Sequence, residues 1–160
     1  MDARNFIEGL VKKPWYRGQI AHVEQVPARE ARYADPSHEL PGELKEMLSR
    51  RGIDRLYIHQ ARAVDCAAGG GNFVVVTATA SGKTLCYLLP IFESHLRESY
   101  STALLVYPTK ALAQDQLRII NELSGECDAL RLSGGTYDGD TPTEKRRKLR
   151  DSATIIQTNP

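Results

Sequence analysis

The chain has 160 residues, 41% hydrophobic and 26% charged, and its 21 Lys+Arg against 20 Asp+Glu leave a formal charge of +1. That length fits one domain, or one with an appendage, and the apolar share supplies a buried core, which excludes wholesale disorder. Near-zero net charge excludes a histone-like polycation and an acidic tail, but not a local basic groove. No apolar run reaches the ~18–20 residues of a bilayer span, so no membrane partner is expected. Met1 to Glu8 carries early acids and no apolar stretch, unlike a signal peptide. Cys66, Cys86 and Cys127 are widely spaced and fit neither a disulfide framework nor a zinc site. They read as reduced thiols of a cytoplasmic protein.

Residues 1–40 read as an irregular extension punctuated by Pro14, Pro27 and Pro36, with a short edge strand over Ile20–Val26. Leu44, Met47 and Leu48 share one face of a helix predicted over Pro41–Arg51, which Gly52 stops. A second helix runs over His59–Ala68 and ends at the glycine triplet Gly69 to Gly71. Phe73 to Thr77 is a β-branched run of the kind found in a strand covered on both faces. After a turn over Ala78–Gly82, a helix over Lys83–Ser99 carries Leu85, Leu88, Leu89, Phe92 and Leu96 on one stripe. A strand over Ala103–Tyr107, a helix over Ala111–Leu123 and a weak strand over Ala129–Leu132 follow. The last elements are a helix over Thr141–Arg150, with Thr141 as N-cap and Pro142 at the first position, and a strand over Ala153–Gln157. Such alternation predicts β–α–β units and a three-layer α/β fold with a parallel sheet.

The sharpest chemical signal is Thr77-Ala78-Thr79-Ala80-Ser81-Gly82-Lys83-Thr84, where the buried run meets the long helix. A triphosphate needs a concave ring of backbone N–H groups, a helix amino terminus and a mobile ammonium. Thr79, Ala80, Ser81 and Gly82 supply the ring, and Lys83 reaches the β/γ oxygens as the catalytic cation. The hydroxyl of Thr84 is the Mg²⁺ ligand, so ATP and Mg²⁺ are the expected ligands. A tripeptide such as Gly-Lys-Thr is common by chance; its place at a strand-to-helix junction gives it weight. Thr77 departs from the glycine that opens the general phosphate-loop pattern.

Taken together, that loop, the run Pro108-Thr109-Lys110-Ala111-Leu112-Ala113-Gln114-Asp115-Gln116, Tyr137 to Thr141 and the terminal Thr158-Asn159-Pro160 resemble a known family. It is the superfamily 2 DEAD/DEAH-box helicases, in their first RecA-like P-loop NTPase domain. The likeness covers roughly residues 20–160 and is nearest to the bacterial and fungal 3′–5′ DNA repair helicases of the mitomycin-repair type, which carry a C-terminal zinc-binding domain. The resemblance implies that Gln60 reads adenine, since an amide donates and accepts at one base edge. It implies that Pro108, Thr109, Lys110, Gly139, Thr141 and Thr158 contact single-stranded DNA, with RNA as the other admissible strand, through the backbone and not the base edges. The basic run Lys145 to Lys148 reads instead as a solvated helix face.

The Asp-Glu-x-His box of the resembled family does not occur in these residues, nor does the second RecA-like domain with its arginine finger. The resemblance therefore implies that residues 41–160 are the amino-terminal part of the first motor domain, incomplete at the C-terminus, with the second lobe belonging to the same polypeptide. Alone it would be inactive; in a bacterial source it would associate with the nucleoid. Two other classes stay open at this stage: a small P-loop kinase or phosphotransferase, and a nucleic-acid-binding module without ATP use.

Overall fold

The computed structural model describes residues 2–27 and 30–160. They form two compact units, one up to Ala31 and one from Arg32 to Pro160. The first unit is not irregular throughout, as expected from its prolines, but opens with α1 (Ala3–Val11). Asp2 caps it by accepting the Arg4 N–H at 3.0 Å, and Phe6, Ile7, Leu10 and Val11 recur at helical spacing. The edge strand expected over Ile20–Val26 does not form; Val23 and Val26 there are exposed and lie in no ladder.

The second unit contains α2 (Gly42–Arg50), α3 (Ile58–Ala68), α4 (Lys83–Arg97), β1 (Ala103–Val106), α5 (Lys110–Gly125), β2 (Gly134–Thr136), α6 (Thr143–Ser152) and β3 (Ile155–Thr158). The sheet order is β1-β3-β2, with both pairs parallel. Parallel neighbours need crossovers, which α5 and α6 provide. Ala103 and Leu105 pair with Ile155 and Gln157, so these four side chains share a sheet face. On that face Ile155 joins a core with Leu88, Leu89 and Phe92 of α4, Ile120 and Leu123 of α5, Leu44 and Met47 of α2, and Val64 of α3. Burying each such side chain is worth about 1.5–3 kcal/mol, which fixes α4 and hence the loop at its start. On the opposite face α6 lays Leu149 over Gly135, while Leu104 and Val106 of β1 remain exposed.

Two predicted strands are corrected. Phe73 to Thr77 forms no strand and pairs with none among the described residues, and Val74 and Val76 are each 89% exposed. Its hydropathy demanded cover that the order β1-β3-β2 does not supply. The strand expected over Ala129–Leu132 forms instead just beyond it, as β2; Leu130 is apolar because it packs in the core. Thr141 also fails as N-cap of α6. That position is taken by Pro142, and the Thr141 hydroxyl turns back into the preceding loop.

Candidate functional site

The loop from Thr77 to Thr84 delivers α4 with Gly82 in the left-handed region, φ 73°. A side chain there is disfavoured twice, because a Cβ would also lie 2.5 Å from Gln60 Nε2. Ala80, φ 56°, is a second left-handed residue of this loop and holds that conformation without a glycine's freedom. Lys83 folds its ammonium back across the loop: it donates to the carbonyl oxygens of Ala78 and Thr77 and lies within hydrogen-bonding reach of the Thr77 and Ser81 hydroxyls, at 2.5, 3.2, 3.3 and 3.5 Å. Every one of those partners is neutral, and the first turn of α4 holds no acid. A positive charge and a helix amino terminus therefore coincide with no carboxylate spent on them, which fits a polyphosphate. Thr77 Oγ1 and Ser81 Oγ are hydrogen-bonded at 2.6 Å, so the threonine in place of a glycine joins the two ends of the loop. Thr84 sits half-buried in the first turn of α4.

Gln60 is buried at the start of α3. Its Oε1 accepts the Tyr57 N–H at 2.8 Å and its Nε2 donates to the Gly82 carbonyl at 2.9 Å. His59 Nε2 is hydrogen-bonded to the Ser81 carbonyl at 2.8 Å. Two consecutive side chains of α3 thus hold the phosphate loop. Beside them opens a cleft of about 500 Å³, lined among others by Tyr33, Arg55, Tyr57, Gln60, Ala80 and Gly82. Tyr33 stacks on Tyr57 at 5.3 Å, Tyr57 on His59 at 5.6 Å, and the Arg55 guanidinium lies 5.0 Å from the Tyr33 ring centroid. Sequence reasoning missed Tyr33 and Arg55. Nothing in the spacing of residue 33 from the loop signals them; the Tyr33–Tyr57 bridge brings them there.

The predicted strand-contacting residues gather at the carboxyl ends of β1, β2 and β3. Thr109 caps α5, its hydroxyl accepting the Leu112 N–H at 3.2 Å. Lys110 pairs with Asp140, and that hydrogen bond holds the ammonium above its usual range. Thr141 is buried; its hydroxyl accepts the Asp138 N–H at 3.0 Å, with the Asp138 carboxylate and the Thr136 carbonyl as acceptors. Thr158 donates to the Tyr137 carbonyl at 2.6 Å. Pro108 and Gly139 are exposed. Within the basic run, Lys145, Arg147 and Lys148 are solvated as expected, but Arg146 is not. It donates to the carbonyls of Thr141, Asp138 and Gly139 and lies over the Tyr137 ring, which fixes the loop.

Phosphate loop, buried glutamine and these turns line up in one order along the chain, and residues 57–160 match the DEAD/DEAH box helicase family. The chain belongs to that family. It is 41% identical over 141 residues to the uncharacterized ATP-dependent helicase YprA of Bacillus subtilis (strain 168), covering 88% of this chain and 19% of that protein. With the ATP-dependent helicase hrq1 of Schizosaccharomyces pombe it shares 42% identity over 149 residues, 91% of this chain and 14% of the relative. Among solved structures, the DUF1998 helicase MrfA bound to DNA and AMPPNP superposes with a TM-score of 0.84 at 38% identity, covering all of this chain and 22% of that one. The chain therefore spans about a fifth or less of these relatives' length. The three-layer RecA-like architecture expected from the sequence is that of a partial domain. Among the described residues no helix is long and apolar enough to cross a membrane.

Proposed function

We propose that this chain is the nucleotide-binding portion of the first motor domain of an ATP-dependent DNA helicase of the repair type. The observation that carries the reading is the Lys83 ammonium at the start of α4, hydrogen-bonded among the described residues to neutral oxygens and adjoining an aromatic-walled cleft. In this reading the base occupies the cleft against Tyr33, with Gln60 at its edge, and the phosphates lie over residues 79–84. Lys83 exchanges its carbonyl partners for β/γ oxygens, and Thr84 offers its hydroxyl to Mg²⁺. Magnesium, when bound, supplies charge neutralisation at those oxygens.

Single-stranded DNA, or RNA, lies across the turns at Pro108 to Lys110, at Gly139 and at Thr158. Thr109 and Lys110 meet phosphate, and Thr141, its hydroxyl already spent, shapes the Gly139 turn rather than touching the strand. A second RecA-like lobe of the same polypeptide closes the site, which limits catalysis by this lobe alone. The relatives named ATP-dependent helicases, and the MrfA complex with DNA and AMPPNP, support the reading.

Calorimetry of the chain with AMPPNP and magnesium tests it. Lys83→Ala is expected to weaken binding roughly 10- to 100-fold, the loss of a charge-assisted contact, while affinity for an oligonucleotide is kept. Equal nucleotide binding by both proteins would overturn the assignment. Running matched DNA and RNA oligonucleotides side by side decides which strand is preferred.

A further inference from the structure

One polar group set is left unused by the site as described. Tyr87 lies one helical turn beyond Lys83, on the same face of α4. Its hydroxyl donates to Gln116 Oε1 at 2.7 Å and stands 3.2 Å from the Tyr107 hydroxyl. A phenol has one proton to give, so with Tyr87 donating to Gln116 the bond between the tyrosines runs from Tyr107 to Tyr87. Burial and this bond hold the Tyr107 phenol far above its usual range, hence protonated and able to donate.

The two partners of Tyr87 bracket the Pro108-Thr109-Lys110 turn. Tyr107 immediately precedes it on the strand side, where its N–H donates to the Thr158 carbonyl at 2.9 Å. Gln116 follows it on α5, the helix that Thr109 caps. One hydroxyl on the phosphate-loop helix thus holds both flanks of the turn. Gln157 is fully buried and pairs in register with Leu105, two residues before Tyr107 on the same sheet face. Neither its amide nitrogen nor its oxygen has a hydrogen-bond partner among the described residues. Buried amides are rarely left so, and this unspent donor and acceptor lie one step along the same sheet face from Tyr107, hydrogen-bonding capacity that a shifted polar layer would draw on.

Building on the proposed function, we infer that Tyr87 is a positioning residue that couples nucleotide at the loop to the strand-contacting turn, through its hydrogen bonds to Tyr107 and Gln116. A shift of the first turn of α4 on nucleotide binding moves the Tyr87 hydroxyl and, with it, both flanks of residues 108–110. Coupling between two sites requires such an element with two discrete arrangements, biased from both ends.

The test is amide NMR of the 160-residue chain, kept dilute enough that sedimentation shows a monomer, titrated with AMPPNP and magnesium. The wild-type chain is expected to shift at residues 79–84 and also at Tyr107, Thr109 and Lys110. Tyr87→Phe, which keeps the ring and the packing, should retain the first set and lose the second. Tyr107→Phe should do the same, whereas Gln116→Glu, which preserves an acceptor oxygen, should keep both. Shifts at 107–110 that persist in Tyr87→Phe, or that are missing from the wild type when 79–84 respond, would overturn the coupling alone. A wild-type chain whose loop does not respond removes the proposed function, and the coupling with it.

Discussion

The Lys110 ammonium is ion-paired with the Asp140 carboxylate, thirty residues further along the chain. In the proposed reading Lys110 meets a nucleic-acid phosphate, and binding there would have to displace this anion from the neighbouring turn. Asp140→Asn should raise affinity for a short single-stranded oligonucleotide about two- to fivefold, as expected for an exposed pair. Lys110→Ala should lower it and reduce the dependence on salt, since one phosphate contact is lost. Fluorescence anisotropy across a salt series measures both. An Asp140→Asn protein that binds no better would separate Lys110 from the strand.

Ala80 holds a left-handed backbone without being a glycine. That conformation costs an L-residue about 1–2 kcal/mol, from which the greater freedom of an unfolded glycine subtracts part. Ala80→Gly should therefore stabilise the protein by up to about 1 kcal/mol. Urea melts would show a higher midpoint at unchanged slope. A lower midpoint would mean that the methyl group makes a contact worth more than the strain.

Gly82 is constrained by its φ and by the Gln60 amide alike. Gly82→Ala should cost about 2–3 kcal/mol, combining the left-handed penalty with a lost buried hydrogen bond. Combining it with Gln60→Ala removes the clash, so the two losses should fall short of adding. Strict additivity in the melts would show that Gln60 does not hold the loop.

Asp138 titrates below the usual carboxylate range, chiefly through the Thr141 hydroxyl; burial opposes this as the next largest effect, and the Asp140 N–H and the Lys110 charge add smaller lowering contributions. A carboxylate whose folded pKa is depressed stabilises fully above its unfolded value and loses that contribution as pH falls through the folded one. The 137–141 loop should accordingly loosen only on the acid side of the ordinary carboxylate range. Amide signals of Asp140 and Thr141 followed down in pH should show this, and Asp138→Asn should flatten the response. An identical acid transition in the variant would assign it to another group.

The candidate site residues are legible because they sit at element junctions, where a helix start or strand end imposes its own residue types. Gly82, Lys83 and Thr109 are of this kind. The second strand was not, for a physical reason. It is built on Gly134 and Gly135, poor strand formers by propensity, and a Cβ at Gly134 would lie 2.6 Å from the Ile155 carbonyl oxygen. Close approach selected them, whereas Leu130 and Leu132 drew attention by apolarity that serves the core. Phe73 to Thr77 failed the other way, since hydropathy reports a need for cover without naming what covers it. The cleft wall at Tyr33 and the Tyr87–Tyr107–Gln116 group depend on contacts between distant positions, which periodicity does not encode.

The bare valines at 74 and 76 have a practical side. A segment of exposed apolar, β-branched side chains outside any sheet is a template for another chain's strand, so material prepared from these residues alone should self-associate as it is concentrated. Sedimentation profiles that drift with loading, and that steady when Val74 and Val76 are replaced by lysine, would trace the stickiness of such preparations to that stretch.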